Sequence, residues 1–209
     1  MPEPAAAGAA RSREIELSYD VDEDTAPPDW TALPGVVSVG AGERRDLDAR
    51  YLDTADHAFG RAGYAFRRRT GGPDEGWHIK GPKGADGGRT ELHWPLGTGD
   101  DPPAEALAVV RGVTDAALAD VARIRVTRVA YALRDADGGL VAEFADDRVA
   151  CVDLRRGVEQ SWREWELELG PAAPADHADF FARAAALVHT AGGRPAVWAS
   201  KLVRTLTGP

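Results

Sequence analysis

Glutamates alternate in two widely separated runs, Glu14-Ile15-Glu16-Leu17-Ser18-Tyr19 and Glu164-Trp165-Glu166-Leu167-Glu168-Leu169. Successive side chains of a strand point to opposite faces and recur roughly every 7 Å along one of them. Each run therefore carries a row of carboxylates on one side and apolar groups on the other. Carboxylates held this close repel unless a positive charge lies between them, and a divalent cation with hard oxygen ligands is the simplest candidate. The chemistry indicated is a metal site built on strands.

The segments between these runs are basic at the same alternation. Arg67 and Arg69 share a face, as do His78 and Lys80, and Arg89 shares one with Glu91 and His93. Glu143, Ala145 and Asp147 oppose Leu140, Ala142 and Phe144. An ordinary antiparallel sheet would turn every such polar face to water. A solvated face normally mixes signs, however, and here acids dominate the outer strands and bases the middle ones. The alternative is a barrel with a polar interior whose apolar outside is covered by helices. The bases then need an occupant more anionic than the glutamates alone. A polyphosphate gripped by Arg and Lys, with a divalent metal bridging it to the carboxylates, meets both requirements.

The elements that must position these residues are mostly short strands separated by glycine-rich turns. Alternation places strands over 13–21, 36–51, 64–70, 77–80, 89–96, 123–134, 139–147 and 162–169. Gly71-Gly72-Pro73-Asp74-Glu75-Gly76 and Asp137-Gly138-Gly139 mark hairpin loops. Helical spacing of apolar residues predicts helices over 103–121 and 176–191, the second stopped by Gly192. Residues 1–12 are expected to be a disordered tail and 13–206 a single domain.

At 209 residues with 44% hydrophobic and 28% charged residues, the composition is that of a soluble protein. A formal net charge of −9 argues against a broad basic surface for nucleic acid but leaves room for a local cationic cavity among the 25 Lys and Arg. Cys151 is the only cysteine, which excludes an intrachain disulfide and a cysteine-based zinc site, and a cytoplasmic setting is expected. No apolar run is long enough for a membrane helix. Neither a membrane nor a protein partner is indicated. No Walker-type Gly-x-x-x-x-Gly-Lys is present, so phosphate chemistry here would not run on a P-loop. His78 and His93 are read as something other than metal ligands, since oxygen donors already suffice.

Eight short motifs then follow in a fixed order. They are Glu14-x-Glu16, Tyr51-Leu52-Asp53-Thr54, Gly63-Tyr64-Ala65-Phe66-Arg67-Arg68-Arg69 and Trp77-His78-Ile79-Lys80, then Arg89-Thr90-Glu91, Arg128-Val129-Ala130-Tyr131, Glu164-Trp165-Glu166-Leu167-Glu168-Leu169 and Ser200-Lys201-Leu202. In this order they resemble the CYTH domain, the triphosphate tunnel metalloenzymes, which include inorganic and thiamine triphosphatases and class IV adenylate cyclases. The resemblance implies an α+β fold, an eight-stranded antiparallel β-barrel with a polar interior and flanking helices. It implies a metal-dependent phosphohydrolase acting on inorganic triphosphate or an organic triphosphate, with Mg²⁺ or Mn²⁺. A class IV cyclase and a catalytically weak polyphosphate- or nucleotide-binding module are the alternatives.

By position in those motifs, Glu14, Glu16, Glu164 and Glu166 would hold metal. Arg67, Arg69, Lys80, Arg89, Arg128 and Lys201 would bind phosphate oxygens, and Glu14, Glu16 and Lys201 would carry catalysis. Arg125 joins the phosphate set only if a bulge brings it to the parity of Arg128. Glu91 and Asp147 match acidic lumen positions, and Glu168 continues its row toward the tunnel mouth. One departure stands out: the family pattern Glu-x-Glu-x-Lys has Ser18 at the lysine position, and a hydroxyl cannot supply the charge of an ammonium.

Overall fold

Ile15 interrupts the first strand, and the two halves pair with different neighbours. The computed structural model describes residues 8–208. β1 (Ala10–Glu14) lies antiparallel to Arg89–Trp94, whereas β2 (Glu16–Val21) lies antiparallel to Val158–Leu169. In chain order follow β3 (Ser38–Val39), β4 (Glu43–Thr54), the short helix α1 (Ala58–Arg61), β5 (Ala65–Thr70), β6 (Gly76–Lys80), β7 (Arg89–Trp94) and α2 (Ala104–Arg111). The long strands β8 (Leu118–Arg134), β9 (Leu140–Asp153) and β10 (Val158–Leu169) come next, then α3 (His177–Thr190), β11 (Arg194–Pro195) and α4 (Lys201–Thr207).

All pairings are antiparallel, in the order β1-β7-β6-β5-β4-β8-β9-β10-β2-β11, with β3 on β8. Since β1 and β2 are halves of one extended segment, the sheet curls round until its last long strand, β10, meets the continuation of its first. The expected antiparallel barrel is therefore present, but with eleven strand segments instead of eight. The difference comes from the break at Ile15 and from the two-residue strands β3 and β11.

Two other expectations change. Residues 1–7 of the expected tail lie outside the described residues, and Ala10–Ser12 belong to β1, where Ser12 pairs with Glu91 and Ala10 with His93. The helix expected over 103–121 ends at Arg111, with Gly112 as its cap. Leu118, Ala119 and Asp120 instead pair with Thr54, Asp53 and Leu52 of β4. Their apolar spacing suits either element, and an available strand partner decides it. The second helix forms as expected, with the Asp176 carboxylate accepting from the Asp179 amide at its start.

Alternation sorts the strands into an outside and a lumen. On one outer face Tyr19, Phe144, Trp165 and Leu167 are buried under Phe180, Ala184 and Val188 of α3 and under Trp30 and Leu33. On the other, Phe66, Trp77, Ile79 and Trp94 are buried under Phe59 of α1 and Val109 and Val110 of α2. The third apolar cluster is in the lumen itself: Leu47, Ala49, Tyr51, Ile124, Val126 and Val149, capped by Leu202 and Leu206 of α4. The interior is thus polar along part of its wall and apolar where α4 packs. That arrangement lets one end close without burying further charge.

Asp53, within the Tyr51-Leu52-Asp53-Thr54 motif, has a structural task. Its carboxylate accepts from the amides of Thr54 (2.7 Å), Phe59 (3.0 Å) and Gly60 (2.9 Å), which fixes the turn from β4 into α1. His57 in this turn takes a left-handed φ of 56°, and its amide donates to the Thr54 carbonyl at 3.0 Å.

Candidate active site

The lumen residues converge on a cavity of about 190 Å³. β1 and β2 bring Glu14, Glu16 and Ser18; β10 brings Glu166 and Glu168. The facing wall carries Arg67 and Arg69 of β5, His78 and Lys80 of β6 and Arg89 of β7. Arg128 of β8 and Lys201, the first residue of α4, complete the cationic side. Alternation positions every strand member, because an inward residue at one position forces its i±2 neighbours inward as well.

Two ion clusters organise these groups. In the first, Lys80 Nζ lies 2.5 Å from Glu14 Oε2, 3.6 Å from Glu91 Oε2 and 3.9 Å from Glu16 Oε1. Arg67 Nη2 lies 3.7 Å from the same Glu91 oxygen, and its Nη1 is 3.4 Å from the Tyr51 hydroxyl. Glu91 Oε1 is 2.5 Å from His78 Nδ1, while His78 Nε2 is 2.9 Å from the Asp74 carbonyl. Burial opposes the charge on Lys80, but Glu16, Glu14 and Glu91 outweigh it and hold its pKa above the ordinary value. Burial pushes the His78 imidazole down to about 4, with Arg67 and Arg69 adding to the effect and Glu91 opposing it.

The second cluster is centred on Lys201. Its Nζ lies 2.5 Å from Glu166 Oε1, 2.6 Å from Glu164 Oε1 and 2.9 Å from Asp147 Oδ2. Arg128 donates through Nε and Nη2 to the two Asp147 oxygens at 2.7 Å each, and its Nη2 also meets Glu166 Oε2. Burial disfavours charge on Lys201 and Arg128, yet the surrounding carboxylates hold both pKa values well above ordinary. The Glu166 carboxyl is held low against its own burial by Lys201 and Arg128. Glu168 faces Glu16 directly across the β2–β10 pair and has no such cation. Burial, then Glu14 and Glu16, push its carboxyl up to about 8.

The structure thus brings Glu14, Glu16, Glu166, Arg67, Arg69, Lys80, Arg89, Arg128 and Lys201 to one cavity. Two expected members stand elsewhere. Glu164 is buried behind Lys201, where the Trp162 indole N–H donates to it, and it does not line the cavity. Arg125 is exposed on the outer side of β8; the β8–β9 register runs unbroken from Ala122 to Leu133, so no bulge brings it inward. Arg45 is not among the expected residues, and Glu143, placed by alternation on the face of Asp147, has no assigned role; both line the cavity and pair at 3.0 Å. The parity of Arg45 with Leu47, Ala49 and Tyr51 carries the signal, but Glu43-Arg44-Arg45-Asp46 has charge on both faces and conceals it.

Comparison with known proteins gives the family. Residues 12–194 match the sequence model of the CYTH domain. The chain belongs to the CYTH family. It is 39% identical to the uncharacterized proteins MT2285 and Rv2226 of Mycobacterium tuberculosis, over 94% of its own length and 40% of theirs. The chain therefore spans about two fifths of the length of these curated relatives.

Solved structures share the CYTH fold at low identity. A Bacillus halodurans protein described as a candidate adenylate cyclase superposes with a TM-score of 0.64 at 17% identity, covering 93% of this chain and 97% of that one. The PH1819 protein of Pyrococcus horikoshii gives 0.56 at 14%, covering 92% and 98%. HpAC1 of Hippeastrum, a candidate adenylyl cyclase with a dominant triphosphatase activity, gives 0.53 at 12%, covering 94% and 95%. No helix among the described residues is long and apolar enough to cross a membrane.

Within this CYTH domain the donor set suits a hard divalent cation. Ligand atoms of Asp147, Glu164 and Glu166 lie within 4.8 Å of one another. On the cavity wall burial, and after it the nearby Glu14 and Glu16, push the Glu168 carboxyl up to about 8, and a cation would relieve the repulsion among the three. All these donors are carboxylate oxygens, the ligands Mg²⁺ and Mn²⁺ prefer.

Proposed function

We propose that this chain is a metal-dependent triphosphatase that hydrolyses inorganic triphosphate or an organic triphosphate inside the tunnel. The observation that carries this reading is the convergence of Arg67, Arg69, Lys80, Arg89, Arg128 and Lys201 on one cavity whose opposite wall is Glu14, Glu16, Glu166 and Glu168. Phosphoryl transfer depends on positioning and charge neutralisation, and a two-signed tunnel supplies both. The dominant triphosphatase activity of the Hippeastrum protein supports the same reading.

In this reading the guanidinium groups of Arg67, Arg69, Arg89 and Arg128 donate to phosphate oxygens and hold the chain of phosphates in line. Lys80 and Lys201, now neutralised by carboxylates, turn toward phosphate when substrate enters. Glu14, Glu16, Glu166 and Glu168 would hold Mg²⁺ or Mn²⁺, which when bound neutralises charge developing on the phosphoryl oxygens. Glu164 and Asp147 keep Lys201 charged. Leu47, Ala49, Val126 and Leu202 supply an apolar stretch of the same cavity wall.

A phosphate-release assay over inorganic triphosphate, thiamine triphosphate and ATP, with Mg²⁺ and with Mn²⁺, tests the proposal. Release that stops in excess chelator and drops sharply in Glu16→Gln is expected. Pyrophosphate from ATP in place of phosphate would favour a class IV cyclase. Tight triphosphate binding with no release under any metal would favour a binding module, the reading that Ser18 motivates. Undiminished hydrolysis in chelator would exclude the metal-dependent mechanism.

A further inference from the structure

Trp198 is placed unlike the other tryptophans of this chain. Trp30, Trp77, Trp94 and Trp165 are buried in the two outer cores, and Trp162 lies beneath the Arg204 guanidinium, 4.2 Å from its ring centroid. Trp198 is instead half-buried on the wall of a second cavity of about 220 Å³. That cavity adjoins the tunnel and shares Glu14, Glu16, Ser18 and Arg89 with it. Its remaining wall includes Leu17, Pro195 and the β6–β7 connection at Lys83 and Gly87.

The segment that presents Trp198 is tied down. The Ala196 amide donates to the Ser18 carbonyl at 3.0 Å, and the Val197 amide to Asp20 Oδ2 at 3.3 Å. Val197 points outward, 83% exposed, and the next residue turns its indole back to the cavity. A large aromatic face left half-covered beside a cationic tunnel is a surface with an occupant to accept.

We infer that the Trp198 cavity binds the planar heteroaromatic group of an organic triphosphate whose phosphates lie in the tunnel. This rests on the triphosphatase reading above and selects among its substrates. The indole offers a stacking face. Glu14 and Glu16, at the edge common to both cavities, can accept from a ring amino group or face a cationic ring. Arg89, shared by both cavities, sits where the organic group would join the phosphates. Inorganic triphosphate has nothing to place against Trp198.

Calorimetric titration of the full chain with the imido analogue of ATP, with thiamine triphosphate and with inorganic imidotriphosphate tests the inference, each in wild type, Trp198→Ala and Trp198→Phe. At least one organic ligand is expected to lose about tenfold in affinity in Trp198→Ala, and to keep most of it in Trp198→Phe. Inorganic imidotriphosphate is expected to bind all three proteins equally. Equal losses for organic and inorganic ligands, or no loss for any, would overturn the inference and leave the triphosphatase reading intact. If wild type binds inorganic imidotriphosphate but neither organic ligand, the inference alone fails. If it binds none of the three, both fail. Thermal melts of the variants, expected near wild type at this half-buried position, separate lost contact from lost fold.

Discussion

Ser18 faces Glu166 across the β2–β10 pair, and the ammonium that meets Glu166 comes instead from Lys201 of α4, with Nζ 2.5 Å from Oε1. The strand position at which the CYTH pattern carries a lysine thus holds a hydroxyl, while a cation reaches the same carboxylate from a helix 35 residues further along the chain. That contact also fixes the start of α4, whose Ser200 side chain accepts from the Val203 amide. Binding and closure of the lumen are therefore linked through one side chain.

Lys201→Met should damage both. Removing the ammonium leaves Asp147, Glu164 and Glu166 close together in a buried site, and breaking a buried ion cluster from one side costs about 3–5 kcal/mol. Denaturant unfolding is expected to show a loss of that order, and triphosphate hydrolysis to fall by more than 100-fold. An unchanged unfolding midpoint would show that the cluster contributes nothing to the fold.

Ser18→Lys should raise triphosphate affinity, because it adds a cation to a cavity wall that has carboxylates opposite to receive it. A several-fold decrease in KM for inorganic triphosphate is the expected result. A KM that rises or stays constant would mean that Lys201 already fills this role.

Arg125 and Arg128 differ by three positions and therefore by parity. Arg128→Ala is expected to raise KM for triphosphate at least tenfold, whereas Arg125→Ala should leave it within twofold of wild type. Steady-state kinetics on the pair decide this directly, and a large effect at Arg125 would mean that β8 is bulged in solution. The same contrast shows what the sequence makes legible. Period-two alternation put Glu14 with Glu16 and Arg67 with Arg69 on shared faces, because a strand leaves no other geometry, and the resemblance to the CYTH pattern added Arg128 and joined these faces in one lumen. It could not show that Glu164 lies behind Lys201, since the depth of a residue along a strand depends on what α4 brings to meet it. Nor could it show that Leu47, Ala49, Ile124 and Val126 line the same interior, because an apolar lumen face and an outer core face look alike in sequence.

The buried His78 gives the stability a defined pH dependence. It is faced by Glu91 of β7 and by Arg67 and Arg69 of β5, and its ring lies 4.7 Å from that of His93, tilted by 34°. Its pKa falls from an ordinary 6.5 to about 4 on folding. Between those values the unfolded chain binds the proton and the folded one does not. The contribution is thus complete above pH 6.5 and is lost as pH falls toward 4, up to about 3 kcal/mol for this shift. Urea unfolding at pH 7 and at pH 4.5 should show the loss in wild type and a much smaller one in His78→Gln. Equal losses in both proteins would assign the acid sensitivity to other groups.

Glu16 and Glu168 stand opposite each other, with the Lys80 ammonium 3.9 Å from Glu16, and this pair gives the sharpest test of the metal. A cation that binds only the folded protein adds stability in proportion to the logarithm of its concentration, about 2.7 kcal/mol at 100 times its Kd. Mg²⁺ or Mn²⁺ should therefore raise the thermal midpoint of wild type in the absence of any substrate. Glu16→Gln removes one cavity-facing donor and should abolish most of that increment. Glu164→Gln alters a carboxylate that faces Lys201 and not the cavity, so the increment should survive there even if the starting stability drops. Differential scanning calorimetry across a metal titration distinguishes the two. An increment lost in Glu164→Gln and kept in Glu16→Gln would move the metal to the Asp147, Glu164 and Glu166 cluster and leave Lys80 as the partner of the first glutamate row.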